Sequence, residues 1–190
     1  DHPANSDIFV NEIYVPPPYP EFELYTVTEP RLPVSAVDQH GHDILPRLEA
    51  RDSLYVGDYT SGSYQGRATP HSMTLDLGPL SPNDRVALYL CGWIMPIEPS
   101  SNLALSQQDN AVVMPPMLEV PDASGAWQTA IDYTGFPSGE HKTIAIDLTG
   151  KFLTDDYRIR LSTNLELYWS EAFFTVNESK DVPHRLTRLR

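Results

Sequence analysis

The chain of 190 residues contains one cysteine and no long apolar run. With Cys91 alone, neither an internal disulfide nor a cysteine metal cluster can form. Cys91 lies in the apolar run Leu88–Trp93, where we expect a buried, inert thiol. No stretch reaches the roughly 18 apolar residues that predict a spanning helix, so we expect no direct membrane span. The chain shows no signal peptide. A mature exported fragment and a cytosolic protein would both lack one, so this observation does not distinguish between them.

Basic side chains are also scarce, with 13 Lys and Arg against 26 Asp and Glu, for a formal net charge of -13. A surface of this sign repels phosphate backbones and anionic lipids, so we expect no nucleic-acid partner. It would attract a basic protein partner or a divalent cation. The alternative interpretation is that the acidic residues only keep the chain soluble.

Proline is abundant, with 18 prolines against 10 glycines. Because proline breaks helices and interrupts central strands, this composition predicts short strands joined by stiff connections. The segment Pro16-Pro17-Pro18-Tyr19-Pro20 must be extended, since each proline moves the preceding residue out of the helical region. It reads either as a rigid connector or as a ligand for a proline-recognising module.

Apolar residues recur with a period of two, which is the spacing of half-buried strands. A continuous apolar run at 85–95 predicts a strand buried on both faces. A longer Gly-containing loop at 121–125 predicts a β-hairpin. A short helix is expected at 43–52, with Ile44, Leu45 and Leu48 on one side. The predicted strands are 7–14, 21–28, 73–77, 85–95, 117–120, 126–133, 142–149, 157–162 and 165–176.

Strand signals about every ten residues predict an all-β fold, a β-sandwich or jelly-roll-like domain. We expect it to have an extended Pro-rich N-terminal arm and at most a short helix. We assign residues 1–33 to an extended arm or connector with strands. Residues 34–176 form the β-sandwich domain, and residues 177–190 form a C-terminal tail.

The stretch from Arg51 to Val176 carries a set of short motifs. They are Arg51-Asp52, Tyr55-Val56, Pro70-His71, Leu75-Asp76-Leu77-Gly78, Leu90, Gly92-Trp93, Ser101-Asn102-Leu103-Ala104, Ser106-Gln107, Asp147-Leu148-Thr149-Gly150-Lys151-Phe152, Arg158, Arg160, Thr163-Asn164 and Leu167-Tyr168-Trp169. In these motifs, over about two thirds of its length, the chain resembles the C-terminal region of bacterial FG-GAP repeat proteins of the ASPIC/UnbV type.

This resemblance implies an exported protein, periplasmic or extracellular, that follows an N-terminal propeller. The propeller repeats of the family bind calcium in Asp-rich loops. This chain has no Asp-x-Asp-x-Asp-Gly loop, so those calcium sites do not carry over to it. Calcium binding elsewhere in the chain is left open, although no motif in the sequence supports it.

Residues suited to catalysis or metal binding are sparse. No Gly-x-Ser-x-Gly motif is present, so we predict no catalytic residues, no enzyme activity and no cofactor. His40 and His42 could chelate a metal from a strand, with Asp43 adding an oxygen. These three are weak metal candidates, and a polar turn is the preferred interpretation.

Aromatic side chains could form a platform on which sugar rings stack. We expect Trp93 and Trp169 in the core, because both lie in apolar runs. The remaining candidates for glycan contact are Trp127, Tyr55, Tyr59 and Tyr64.

By elimination, the sequence predicts a non-catalytic structural or interaction module. It would be an exported accessory subunit or domain that docks with protein partners in a larger assembly, which could be membrane-associated. The alternative is a carbohydrate-binding β-sandwich module. The basic end of the C-terminal tail, at 184–190, could add a strand to a neighbouring protein or contact an acidic surface. Alternatively, it could only connect to a further segment. The candidates for partner contact are Pro16, Pro17, Pro18, Tyr19, Arg185, Arg188 and Arg190.

Overall fold

A computed structural model describes residues 8–10, 13–14, 24–107, 112–137, 139 and 141–178. No helix formed by these residues has the length and apolarity needed to cross a lipid bilayer. The predicted partner-contact residues lie outside the described residues; they are Pro16, Pro17, Pro18, Tyr19, Arg185, Arg188 and Arg190.

The described residues are mostly strands joined by short loops. In chain order the strands are β1 (Ile8–Val10), β2 (Ile13–Tyr14), β3 (Leu24–Thr26), β4 (Ser35–Asp38), β5 (Arg67–Asp76), β6 (Val86–Ile94), β7 (Met117–Pro121), β8 (Trp127–Ile131), β9 (Phe136–Pro137), β10 (Lys142–Asp147), β11 (Arg158–Leu165) and β12 (Leu167–Val176). The helices are a 3₁₀ turn at Leu45–Arg47 and α1 at Pro99–Ser106.

Two antiparallel sheets form a sandwich-like all-β fold with no closed barrel, as the sequence predicts. The first sheet has five strands in the order β4-β5-β11-β7-β8, and the second has three in the order β10-β6-β12. Two further pairs, β1 with β3 and β2 with β9, complete the described strands. The predicted hairpin is confirmed, since β7 and β8 pair around the turn at 122–125. β11 and β12 are consecutive but lie in different sheets.

The core lies between the two sheets and is built from alternate residues of each strand. The five-stranded sheet contributes Leu75 and Ile159, and the three-stranded sheet contributes Leu88 and Ile144, all with no exposed surface. Their apolar surface is removed from water, which is the main force that holds the two layers together.

β6 and β12 approach each other closely where Gly92 pairs with Trp169. A Cβ on Gly92 would fall on the carbonyl oxygen of Tyr168 and lie 2.7 Å from Cε3 of Trp169. The register of β12 shifts between Trp169 and Glu171, which marks a bulge beside this contact. Only glycine fits at position 92 without moving the partner strand.

The outward face of the three-stranded sheet is covered at one end by the N-terminal part of the described chain. Tyr89 and Phe173 stack there, with ring centroids 4.8 Å apart. Tyr25 meets Tyr89 edge-on at 5.9 Å, and Val27 is buried in the same small apolar group. This second cluster is why β6 is buried on both faces, as its continuous apolar run predicts.

The edge of β12 is paired with irregular segments rather than with a regular strand. Arg31 exchanges backbone hydrogen bonds with Phe174 at 2.8 and 2.9 Å, and Val56 does so with Trp169 at 2.7 and 3.2 Å. Between them, Ala172 N–H donates to the carbonyl of Leu48 at 2.9 Å. These contacts satisfy edge groups that would otherwise be open to pairing with other chains.

The helix expected at 43–52 is wrong in extent, because only Leu45–Arg47 is helical and it is a 3₁₀ turn. Pro46 has no N–H to donate, and the following residues are drawn into pairing with β12. The prediction that Ile44 and Leu48 lie on one apolar side of this segment is confirmed, because both side chains are buried. The α-helix of the described chain, α1, lies at Pro99–Ser106, where none was expected.

On the outward face of the five-stranded sheet, a charged network ties the edge strand β8 to its neighbours. Arg160 Nε and Nη2 donate to the two carboxylate oxygens of Glu119, both at 2.7 Å, and Ser162 Oγ donates to Glu119 at 2.7 Å. The guanidinium of Arg160 also lies 4.6 Å from the ring centroid of Trp127. Because these residues come from β7, β8 and β11, the network fixes three strands in register.

We predict that Glu119→Gln lowers the free energy of unfolding by about 1.5 kcal/mol at neutral pH, because it weakens a bidentate charged pair. The hydrogen bond from Arg160 lowers the pKa of Glu119 below its usual 4.5. A lowered folded-state pKa gives stability that is present above the unfolded pKa and lost as pH falls through the folded one. Urea unfolding of both proteins should therefore show a difference that is constant above about pH 6 and shrinks below about pH 4.5.

The exposed Asp132→Asn substitution is the control and should leave stability unchanged. A difference between wild type and Glu119→Gln that stays constant down to about pH 3 would contradict the assigned role of the pair.

Candidate functional site

Six half-buried rings meet at the end of the three-stranded sheet opposite to the end covered by Tyr25 and Val27. We call them the aromatic cluster, and its members are Tyr55, Tyr59, His71, Trp93, His141 and Tyr168.

Trp93 and Tyr168 form the centre of the aromatic cluster. They are direct cross-strand partners on β6 and β12, and their rings stack 4.4 Å apart at 11°. Trp93 follows Tyr89 and Cys91 on the outward face, so the expectation that it lies in the core is wrong. The reason is that β6 is apolar on both faces, and its composition does not show which side each residue takes. Trp169 is in the core, as expected, with 6% exposure.

Tyr55 joins the cluster because the adjacent Val56 pairs with β12. Val56 turns inward beside Trp169, which leaves Tyr55 on the outward side. Its ring meets Trp93 and Tyr168 edge-on at 6.3 and 6.4 Å. It also stacks on His141 at 5.3 Å, and its hydroxyl lies 2.8 Å from His141 Nε2.

Tyr59 extends the cluster toward the five-stranded sheet. Its ring stacks on His71 of β5 at 4.2 Å and lies 5.6 Å from Tyr168. The hydroxyl donates to the carbonyl of Leu167 at 3.2 Å. Burial raises the pKa of Tyr59 and lowers that of His71, so both rings are neutral at pH 7. His71 Nδ1–H donates to the carbonyl of Thr69 at 2.9 Å.

Gly57 lets the loop between Tyr55 and Tyr59 pass close to the cluster. A Cβ at position 57 would lie 2.7 and 2.9 Å from two ring carbons of Tyr168. Glycine therefore allows the Tyr168 ring to lie flat on Trp93.

A polar groove of about 460 Å³ runs beside the aromatic cluster. Gln39 Nε2 donates to the carbonyl of Asp58 at 3.0 Å, and Arg47 Nη1 lies 2.7 Å from Asp58 Oδ2. These bonds link Gln39, Arg47 and Asp58 to one another. The residues that line the groove are Gln39, His40, Gly57, Asp58, Tyr59, Thr60, Thr69 and Pro70.

Of the four predicted glycan contacts, the structure brings Tyr55 and Tyr59 together through Tyr168. Trp127 lies on the other sheet against Arg160, and Tyr64 lies in the turn between Thr60 and Thr69.

The other members of the aromatic cluster are not among the predicted site residues. Trp93 carries no local signal, because β6 is apolar on both faces. The bulge between Trp169 and Glu171 takes Tyr168 out of the two-residue alternation that Glu171 and Phe173 follow. His71 and His141 also carry no local signal, because both join the cluster through contacts between segments distant in sequence.

The weak metal candidates form a tight polar turn at the end of β4. His42 Nδ1 lies 2.9 Å from the buried carboxylate of Asp38, which also accepts from the backbone N–H groups of His40 and His42. Burial opposes ionisation of Asp38, but these hydrogen bonds outweigh it and lower the pKa. Asp43 accepts from the N–H of Leu45 instead of pointing at the histidines. Within the described ranges, no three His, Cys, Asp or Glu residues are grouped to hold a metal.

Cys91 is buried, as predicted, with 1% exposure. Burial raises the pKa of its thiol, so the sulfur stays protonated and is a poor nucleophile at neutral pH. The aromatic cluster presents ring faces, and the groove beside it presents hydrogen-bonding groups and the Asp58 carboxylate that is paired with Arg47.

Comparison with known proteins gives no relative for this chain: no family model, no curated protein and no solved structure matches it.

We predict that Gly57→Ala displaces the Tyr168 ring from Trp93, because the new methyl group needs the space that the ring occupies. The near-UV circular dichroism of the stacked pair should fall, while the far-UV spectrum stays that of the wild type. Thr129→Ala, an exposed change on β8, is the control and should alter neither spectrum. An unchanged near-UV spectrum in Gly57→Ala would show that this loop does not set the geometry of the cluster.

Proposed function

We propose that this chain is a non-catalytic interaction module that docks on a larger assembly through the aromatic cluster. The observation that carries the proposal is a set of stacked Trp, Tyr and His rings, half-buried on an outward sheet face and bordered by a polar groove. Tyr and Trp are enriched at contact sites, because each offers a large area with few rotatable bonds. Rings already held by stacking lose little freedom when a partner binds.

The docking role is supported by the kind of groups that the site presents. Its two histidines are occupied, His71 with Thr69 and His141 with Tyr55, and each of them stacks on a tyrosine ring. Paired nucleophiles and bases are what hydrolytic sites use. The aromatic cluster instead offers flat surfaces for contact.

The setting of this module is part of the same proposal. Its resemblance to the C-terminal region of FG-GAP repeat proteins of the ASPIC/UnbV type favours an exported accessory subunit or domain, in the periplasm or outside the cell. The acidic character of the chain favours a partner with basic groups at the rim of the contact.

The test is whether the chain's assembly depends on the cluster. In extracts of cells that naturally make the protein, the wild type should elute from size-exclusion chromatography with a defined larger complex. Tyr55→Ala removes a ring that touches three other members of the cluster, so it should move the chain to the monomer position. A loss of binding of about tenfold or more is typical for a central aromatic contact.

Thr129→Ala, on the opposite sheet edge, serves as the matched control and should stay in the complex. A wild-type chain that always elutes alone would contradict the docking role. A complex that retains Tyr55→Ala as well as wild type would place the contact elsewhere.

A further inference from the structure

We infer that the polar groove beside Tyr59 binds a neutral saccharide carried by the partner on which the module docks. This inference rests on the proposed function, because it names the ligand chemistry of the same surface. Its support comes from Tyr59, which lines the groove, from the polar groups around Tyr59, and from the balance of charge.

Tyr59, one of the residues that line the groove, is held in place before any ligand binds. Tyr59 is fixed by stacking on His71 and by the hydrogen bond from its hydroxyl to Leu167. Because the hydroxyl is used in this bond, the ring is the part of Tyr59 that can contact a ligand. The C–H face of a pyranose packs on such a flat ring and is removed from water there.

The groups around the ring suit pairs of sugar hydroxyls. Gln39 uses its amide nitrogen to bind the Asp58 carbonyl, which leaves its carbonyl oxygen as an acceptor. Arg47 holds Oδ2 of Asp58, and Oδ1 has no partner among the described residues. The hydroxyl of Thr60 is a further donor and acceptor at the groove.

The charge of the groove favours a neutral ligand. The guanidinium of Arg47 is matched by the carboxylate of Asp58 at 2.7 Å. The groove therefore has no surplus positive charge, and the chain as a whole carries a formal charge of -13. A uronic acid or a sulfated sugar would be repelled, whereas a neutral sugar would not.

The dimensions of the groove fit this ligand class. Its volume of about 460 Å³ lies within the range of roughly 300–1,000 Å³ that is usual for small-molecule sites. The groove includes Gly57, next to the Tyr168 ring, so a sugar chain can continue from Tyr59 toward Tyr168.

The experiment titrates the full chain with neutral hexasaccharides of glucose, mannose and xylose, and with oligogalacturonate and heparin as acidic comparators. Binding is followed by isothermal calorimetry and by tryptophan fluorescence. At least one neutral hexasaccharide should bind, and neither acidic sugar should. Asp58→Asn, at a side chain that is 57% exposed, should weaken binding about tenfold without unfolding the chain. Tyr59→Leu should abolish binding, and the distant Asp132→Asn should bind like the wild type.

The other outcomes separate this inference from the docking function. Binding of acidic sugars alone, or neutral-sugar binding that survives Asp58→Asn, would overturn the groove as a neutral-glycan site. If no sugar binds while Tyr55→Ala still loses the larger complex, the docking function stands and its partner is a protein surface. If no sugar binds and Tyr55→Ala keeps the complex, both proposals fail.

Discussion

The close pairing of β6 and β12 at Gly92 is the contact on which both the interior and the surface of this protein depend. Because position 92 has no side chain, the two backbones approach closely enough for Trp169 to fill the core beside it. The same pairing places Trp93 directly opposite Tyr168 on the outward face. One register therefore fixes a core ring on one side of the sheet and a surface stack on the other. A slip of one residue would exchange the two faces.

The loop at 55–59 adds two tyrosine rings to the stack at this sheet edge. Val56 hydrogen bonds to Trp169 like the residue of a further strand, so its two neighbours are projected outward beside the stack. Tyr59 then bridges the space between the sheets to reach His71 on β5. The aromatic cluster thus draws on both layers of the sandwich, which makes it as rigid as the packing between them. Rigidity of this kind suits recognition, since the surface needs no rearrangement to meet a partner.

The sequence predicts the layers better than it predicts the site, and the reason is physical. A period of two residues is a local property of a strand, so the alternation at Met73, Leu75 and Leu77 identifies β5 without knowledge of its partners. The face on which Trp93 lies could not be predicted in this way, because β6 is apolar on both faces and its residues do not alternate between apolar and polar. The 3₁₀ turn at Leu45–Arg47 is shorter than the helix that the local pattern predicts, because Leu48 and Glu49 pair with β12, which is distant in sequence. His71 and His141 likewise meet their tyrosines through tertiary contacts that no local pattern shows.

The dependence of core and surface on one glycine can be measured in a single variant. Gly92→Ala should lower the free energy of unfolding by about 3 kcal/mol, since the methyl group meets backbone rather than a movable side chain. It should also reduce the near-UV circular dichroism of the Trp93–Tyr168 stack. Gly125→Ala, at an open turn with φ of +82°, should cost only about 1 kcal/mol and leave that spectrum unchanged. Equal losses of stability, with the near-UV spectrum intact in both variants, would contradict the central place given to this strand pair.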